Sequence, residues 1–244
     1  METPAASSEP VAPGADSPLG RVLGVFVAPA RTFAAIARRP GWVAPLLLST
    51  VLSVLATAVL LPRLDMEAAV REQLAARDEA VSEERIEKAL AVQKRFAPLG
   101  YAWAVLAPTL VALALAGIFW LSFKAFGWEL SFPQSLGVTS HGFLPNCLSA
   151  ILLVFFALRL ERFNPADLGD LVRSNPAFLV DRHANPVMHS LLQSLDAFSI
   201  WVLVLLVVGY SVAAKVSRGK GAAIIGSIWA LYVLGKAGFT AIFS

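Results

Sequence analysis

Four side chains capable of acid–base or hydrogen-bonding chemistry stand inside stretches that are otherwise apolar: His141, Asn146, Asp196 and Lys236. An ionisable group surrounded by hydrocarbon is costly, so its first reading is functional and its partner should be nameable. Asp196 and Lys236 fall near the same ends of successive apolar stretches, which makes an Asp196–Lys236 ion pair the expectation. The alternative is a lysine that snorkels to the headgroups and an aspartate that caps its helix. His141 precedes Pro145, whose ring removes the N–H that would have bonded the His141 carbonyl. Gln134, Ser135, Thr139, Ser140, Asn146 and Cys147 share that half of the stretch. A kinked helix lined this way suits a transport pathway and equally suits hydrogen bonding between helices. His183 and His189 have only Asp181 near them, too few ligands for a metal centre, and no cofactor is expected. Gly219-Lys220-Gly221 lacks both the full GxxxxGK[ST] phosphate-loop pattern and a preceding strand. The chain holds no HExxH and no GxSxG, and we expect a protein that is not an enzyme.

Long apolar elements must position these groups. They run over residues 41–61, 99–123, 132–158, 195–213 and 222–243, each about 20 residues or longer, enough to cross ~30 Å of hydrocarbon at ~1.5 Å per residue. Residues are 57% hydrophobic and 15% charged, with a mean hydropathy of +0.68. The expected fold is therefore all-α: a polytopic membrane protein with five transmembrane helices. Residues 1–17, rich in Ala, Pro and Ser, read as a disordered tail, and residues 18–244 as one five-helix transmembrane domain.

Charge gives this domain a direction. Arg21, Arg31, Arg38, Arg39, Lys124, Lys215, Arg218 and Lys220 flank one set of ends, whereas the loops on the other side balance their charges. Short basic flanks stay in the cytoplasm, so the N-terminus is expected inside and, after five crossings, the C-terminus outside. Without organelle-targeting features the default location is a bacterial cytoplasmic membrane, with the first stretch acting as an uncleaved insertion signal. The small net charge of +3 gives no reason to expect nucleic acid. The lone Cys147 rules out an intramolecular disulfide and leaves the redox compartment open.

Between and before the spans, three segments are predicted to be helical. Pro29 can open a helix in the basic arm, with Phe33 and Ile36 on one face. This helix would lie in the membrane interface with its apolar face in lipid, or else pack on the ends of the spans. Residues 62–97 read as an extramembrane helical insert or hairpin, with Ser82 as an N-cap ahead of Glu83 and Glu84. Asn164-Pro165 signals a short helix through Val172, and Asn175-Pro176 and Asn185-Pro186 break the chain beyond it. Ala222, Gly226 and Ala230 form an i, i+4 series on which another helix backbone could approach closely.

Taken in order, these features resemble a known family. A cytoplasmic arm with Pro29-x-x-x-Phe33 and Pro40 is followed by five spans. The third carries His141-Gly-Phe-Leu-Pro145, and the fourth opens Leu195-Asp196-Ala-Phe198-Ser-Ile-Trp201 and continues to Gly209-Tyr-Ser211. This pattern is similar to the bacterial branch of the Yip (Ypt/Rab-interacting protein) family of five-span membrane proteins. The resemblance runs from about residue 18 to the end, and the Leu-Asp-x-Phe-x-Ile-Trp opening is its most specific piece. It implies five membrane helices with a cytoplasmic N-terminus. Eukaryotic members engage Rab GTPases and one another in vesicle traffic. The charged insert 62–97 departs from their compact layout, and bacteria lack that traffic, so Rab-type GTPase binding is not expected.

The function expected on these grounds is a non-enzymatic scaffold in membrane organisation, acting in the bilayer through a protein partner or a homo-oligomer. Its working parts would be Pro29, Phe33 and Pro40 in the arm, the Asp196, Phe198 and Trp201 cluster, Gly209, and the small-residue face of the fifth span. The rival is a small transporter or channel component, in which His141, Asn146, Asp196 and Lys236 line a pathway. Convergence of those polar groups on one solvent-connected cavity would separate the two.

Overall fold

A computed structural model describes residues 17–75 and 82–243. The tail expected to be disordered lies, but for Ser17, outside the described residues. Among the described residues there are ten α-helices: α1 (Pro18–Val27), α2 (Pro29–Arg38), α3 (Val43–Leu60), α4 (Met66–Ala75), α5 (Glu83–Ala125), α6 (Phe132–Gly142), α7 (Pro145–Ala157), α8 (Pro186–Gln193), α9 (Ala197–Ala213) and α10 (Arg218–Phe243). Four segments are long and apolar enough to cross a membrane: Val43–Arg63, Glu83–Ala125, Phe132–Ala157 and Arg218–Ile242. A fifth crossing requires α8 and α9 together, bent by 49° at their junction. Alone, the 17 residues of α9 reach only ~25 Å.

The bend has a local cause. Asp196 is extended (φ −69°, ψ 139°), and its carboxylate accepts the backbone N–H groups of Phe198 and Ser199, both at 3.0 Å. A side chain that satisfies two orphan donors starts a helix. Asp196 is therefore the cap of α9, one turn earlier than its expected place inside the span. The break in the third crossing is the one anticipated at Pro145. Pro145 occupies the first turn of α7, where it needs no N–H. The crossing opens on a capping box between Ser131 and Gln134.

Contrary to expectation, the insert and the second span are not separate. Ser82 caps the helix as predicted, with its hydroxyl accepting from the Arg85 N–H at 3.3 Å. From there α5 continues for 43 residues through Pro98 and Pro108. At ~1.5 Å per residue this is ~65 Å, about twice the hydrocarbon thickness. Its charged first half pairs with α4, where Arg71 bonds both Glu67 (2.9 Å) and Glu83 (3.0 Å). These two carboxylates hold the Arg71 guanidinium above its ordinary pKa, chiefly through the hydrogen bond to Glu67. The 158–185 loop covers the same end. Asn164 does cap, but only a single 3-10 turn, Pro165–Asp167, in place of a helix through Val172. A backbone pairing of Phe163 with Arg63 and Asp65 and the Arg182 bridges to Glu72 and Asp167 tie this loop to α4.

The arm takes the packed placement of the two left open for it. α1 and α2 form an antiparallel pair, crossing so closely at Gly24 that a Cβ there would lie 2.6 Å from the Thr32 hydroxyl. Phe33 and Ile36 of α2 are wholly buried. Phe33 lies over Gly209 of α9, and Ile36 over Gly137 of α6. What remains for lipid is the outer stripe of α1, where Leu19, Leu23 and Val27 are exposed. The remaining core gathers around Tyr210, whose ring stacks on Phe123 with centroids 5.1 Å apart.

The expected packing face of α10 is not used inside the bundle. Ala222 and Ala230 are exposed, and a Cβ on Gly226 would meet nothing within 4 Å. Close approach occurs instead at Gly221, where a Cβ would sit 3.4 Å from the Val207 carbonyl of α9. A one-residue shift rotates a helix by ~100°, so the small residues that face a neighbour cannot be chosen from i, i+4 spacing alone.

Candidate functional site

Lys236 on α10 reaches back to the end of α8. Its ammonium donates to the Ser190 carbonyl (3.3 Å), the Gln193 side-chain oxygen (3.3 Å) and the Ser194 hydroxyl (3.4 Å). The last carbonyls of a helix carry its negative end, so a cation is favoured there. Asp196, two residues beyond Ser194, spends one oxygen on its cap and accepts the Ser174 hydroxyl with the other. The Ala197 N–H to Ser174 carbonyl bond (3.0 Å) closes the same junction. Both residues line one cavity of about 380 Å³ between α7, α9, α10 and the loop, together with Asn175 and Trp229. No ion pair joins them among the described residues: each charge is met by neutral groups. The expected pair is replaced by two charges at one helix junction, because capping α9 turns the Asp196 carboxylate to its own backbone.

The other two polar candidates lie elsewhere. His141 is 1% exposed, and its Nδ1 donates to the Gly137 carbonyl at 2.8 Å, a bond within its own helix. Asn146 faces a different cavity, of about 390 Å³ between α3, α5 and α7, beside Ser49, Ser53 and Thr57. Cys147 borders it and lies 3.5 Å from the Ser49 hydroxyl. The four residues proposed for a pathway are thus divided among three places.

The arm and the start of α9 do come together. Phe26 of α1 meets Trp201 edge to face, with centroids 5.4 Å apart, while Gly209 gives Phe33 its seat two turns further along. Phe198 is half-buried and Pro40 exposed. Among the basic residues of the arm, Arg21 is buried and donates to the Arg39 carbonyl at 2.8 Å. In the arm, α2 is therefore seated on α9, and α1 reaches α9 through Phe26.

One buried cluster went unread in the sequence. The Tyr210 hydroxyl lies 2.6 Å from that of Ser135 and 2.7 Å from that of Thr139, and Ser135 donates to the Ala116 carbonyl at 2.7 Å. This hydroxyl chain clamps α5, α6 and α9 together in the driest part of the bundle. Its signal was the i, i+4 spacing of Ser135 and Thr139, which the wider polarity of that span obscured.

In and beyond the 158–185 loop, His183 lies 3.7 Å from Glu72, whereas His189 lies 3.6 Å from Asp170. The two imidazoles thus face different carboxylates. Asp181 is held below the ordinary carboxylate range by the N–H groups of His183 first and Ala184 second, and closes a turn.

Comparisons with curated proteins and with solved structures find no match to this chain. The family model described as the Yip1 domain matches residues 23–239, from the middle of α1 almost to the end of α10. Its apolar helices and the near-complete reach of that match make the chain a multi-pass membrane protein of the Yip1 domain family.

Proposed function

We propose that this protein is a non-enzymatic scaffold that organises other chains, or copies of itself, within the membrane. One observation carries the reading: the intramembrane polar groups do not all converge on one cavity, and His141, Asp196 and Lys236 are met by backbone and neutral side chains. His141 is spent within its helix, Lys236 on the end of α8, and Asp196 on the cap of α9. The Asp196/Lys236 cavity and the Asn146 cavity share no lining residue and lie on different sides of α7. A pathway would need them joined. The unfilled small-residue face of α10 leaves surface for a neighbouring helix. Basic flanks on one set of helix ends support a cytoplasmic N-terminus in a bacterial inner membrane. Engagement of a Rab-type GTPase forms no part of this reading.

The test is the native mass of the protein extracted into nanodiscs, with flux measured on the same preparation in proteoliposomes. The scaffold reading expects a stoichiometric complex above the 26.0 kDa of one chain and no solute flux. A lone chain whose proteoliposomes pass a solute, with flux lost in Lys236→Ala or His141→Ala, would establish the transporter instead.

A further inference from the structure

The basic ends of α5, α9 and α10 enclose a third cavity, of about 770 Å³, lined by Lys124, Trp128, Glu129, Lys215, Ser217 and Lys220 among others. Three lysines therefore line one space against a single acidic residue. Two of these lysines lie over indole rings: Lys124 is 5.0 Å from the centre of Trp120, and Lys220 is 5.8 Å from that of Trp128. Trp is enriched at the depth of lipid headgroups, which places the cavity at the membrane boundary.

Two details of the backbone show that these charges are not placed for the stability of the fold. The first is Lys220. It occupies the first turn of α10, following Arg218, in a turn with no acidic residue. A helix N-terminus is the positive end of the dipole, so cations there are repelled by it and by each other. The Ser217 hydroxyl caps the Lys220 N–H at 3.4 Å, and the field of the helix end favours an anion.

The second is Lys215. α9 ends in a Schellman motif: the Val216 N–H bonds the Ser211 carbonyl at 3.0 Å, and the Lys215 N–H bonds that of Val212 at 3.4 Å. The residue in the left-handed position of that motif is ordinarily glycine. Across the same cavity α5 ends in the same motif, with Trp128 bonded to Phe123 and Gly127 to Lys124, and there the left-handed residue is Gly127 (φ 78°). On α9 it is Lys215, at φ 54°, the one described residue other than glycine with positive φ. A side chain in that conformation carries a steric cost. What it gains is a lysine in the lining of the cavity.

We propose that this cavity binds the phosphodiester of an anionic phospholipid, held by Lys124, Lys215 and Lys220 at the start of α10. Phosphate chemistry is shared by lipid headgroups and free phosphate. The boundary position and the two indoles favour the lipid.

The experiment is native mass spectrometry of the full chain in detergent, supplied with phosphatidylglycerol, phosphatidylcholine or inorganic phosphate. The expected result is a retention of phosphatidylglycerol about tenfold over phosphatidylcholine, lost in Lys124→Gln/Lys220→Gln. Lys88→Gln, at the far end of α5, removes the same charge as Lys220→Gln alone but outside the cavity, and should leave retention unchanged where Lys220→Gln weakens it. Lys215→Gly separates function from folding: it should weaken retention while raising Tm by about 2–4 °C, because strain at the helix end is relieved. Equal retention of the two lipids, or equal losses in Lys88→Gln and Lys220→Gln, would overturn the proposal. Displacement of the lipid by millimolar inorganic phosphate would overturn its lipid half and assign the cavity to a soluble anion.

Discussion

Asp196 shows how one side chain can read as chemistry and act as structure. A carboxylate in an apolar stretch calls for a cation, and Lys236 stands at the matching height. Yet two backbone N–H groups at 3.0 Å and the Ser174 hydroxyl already meet its needs. Capping requires an oxygen and not a charge, and the two roles therefore respond differently to substitution. Asp196→Asn should keep the cap and leave Tm nearly unchanged. Asp196→Ala should cost about 1 kcal/mol, lowering Tm by about 2–4 °C in thermal unfolding of the detergent-solubilised protein. Equal losses in the two variants would show that the charge matters and return Lys236 as its partner. Sequence placed both residues at the correct end of the bundle. It could not specify which way the carboxylate turned, because an N-cap is fixed by the φ and ψ of one residue and an ion pair by the rotation of two helices.

At the scale of elements, hydropathy marked the long apolar helices, since crossing hydrocarbon demands long apolar runs. It was blind to two things. Helix continuity was one: α5 passes from aqueous to apolar surroundings without changing its backbone, so composition marks a boundary at residue 97 where geometry has none. The destination of apolar faces was the other. In a soluble protein an apolar stripe must face the core, but in a bilayer lipid satisfies it as well. Phe33 and Ile36 could therefore have faced either environment, as could Ala222 and Gly226, and the two cases resolved oppositely. The arm supplies the test. Phe33→Ala empties a wholly buried site against Gly209 and should cost about 3 kcal/mol. Leu23→Ala, on the exposed face of α1, should change Tm little. Similar shifts for both would mean that the arm lies on the membrane surface and not in the bundle.

For the whole molecule, the two ends differ in charge and in structure. One end gathers Lys124, Lys215, Arg218 and Lys220 at helix termini. The other carries the extension of α5, α4 and the 158–185 loop, knitted by Arg182 to Glu72 and Asp167. The proposed orientation puts the first end inside. In a Cys147→Ser background, Lys220→Cys should react with a membrane-impermeant maleimide only after the cells are opened. Glu161→Cys, on the loop, should react in intact cells. The reverse pattern would invert the topology and place the Lys215 cavity in the outer leaflet.

The seating of Phe33 on Gly209 also sets a schedule. A groove on α9 cannot receive α2 until α9 exists, and ~175 residues of chain separate the two contacts, so at ~5–20 residues per second α2 waits roughly 10–35 s after leaving the ribosome. Through that interval α1, and then α6 beneath Ile36, are the native partners already made, while Phe33 stays uncovered beside the translocon. The late arrival of α9 then closes the arm, the hydroxyl chain at Tyr210 and the Lys215 end in a single step. Assembly of this protein is therefore gated by the birth of its penultimate helix, and a chain truncated before α9 would present the quality-control machinery with an open arm.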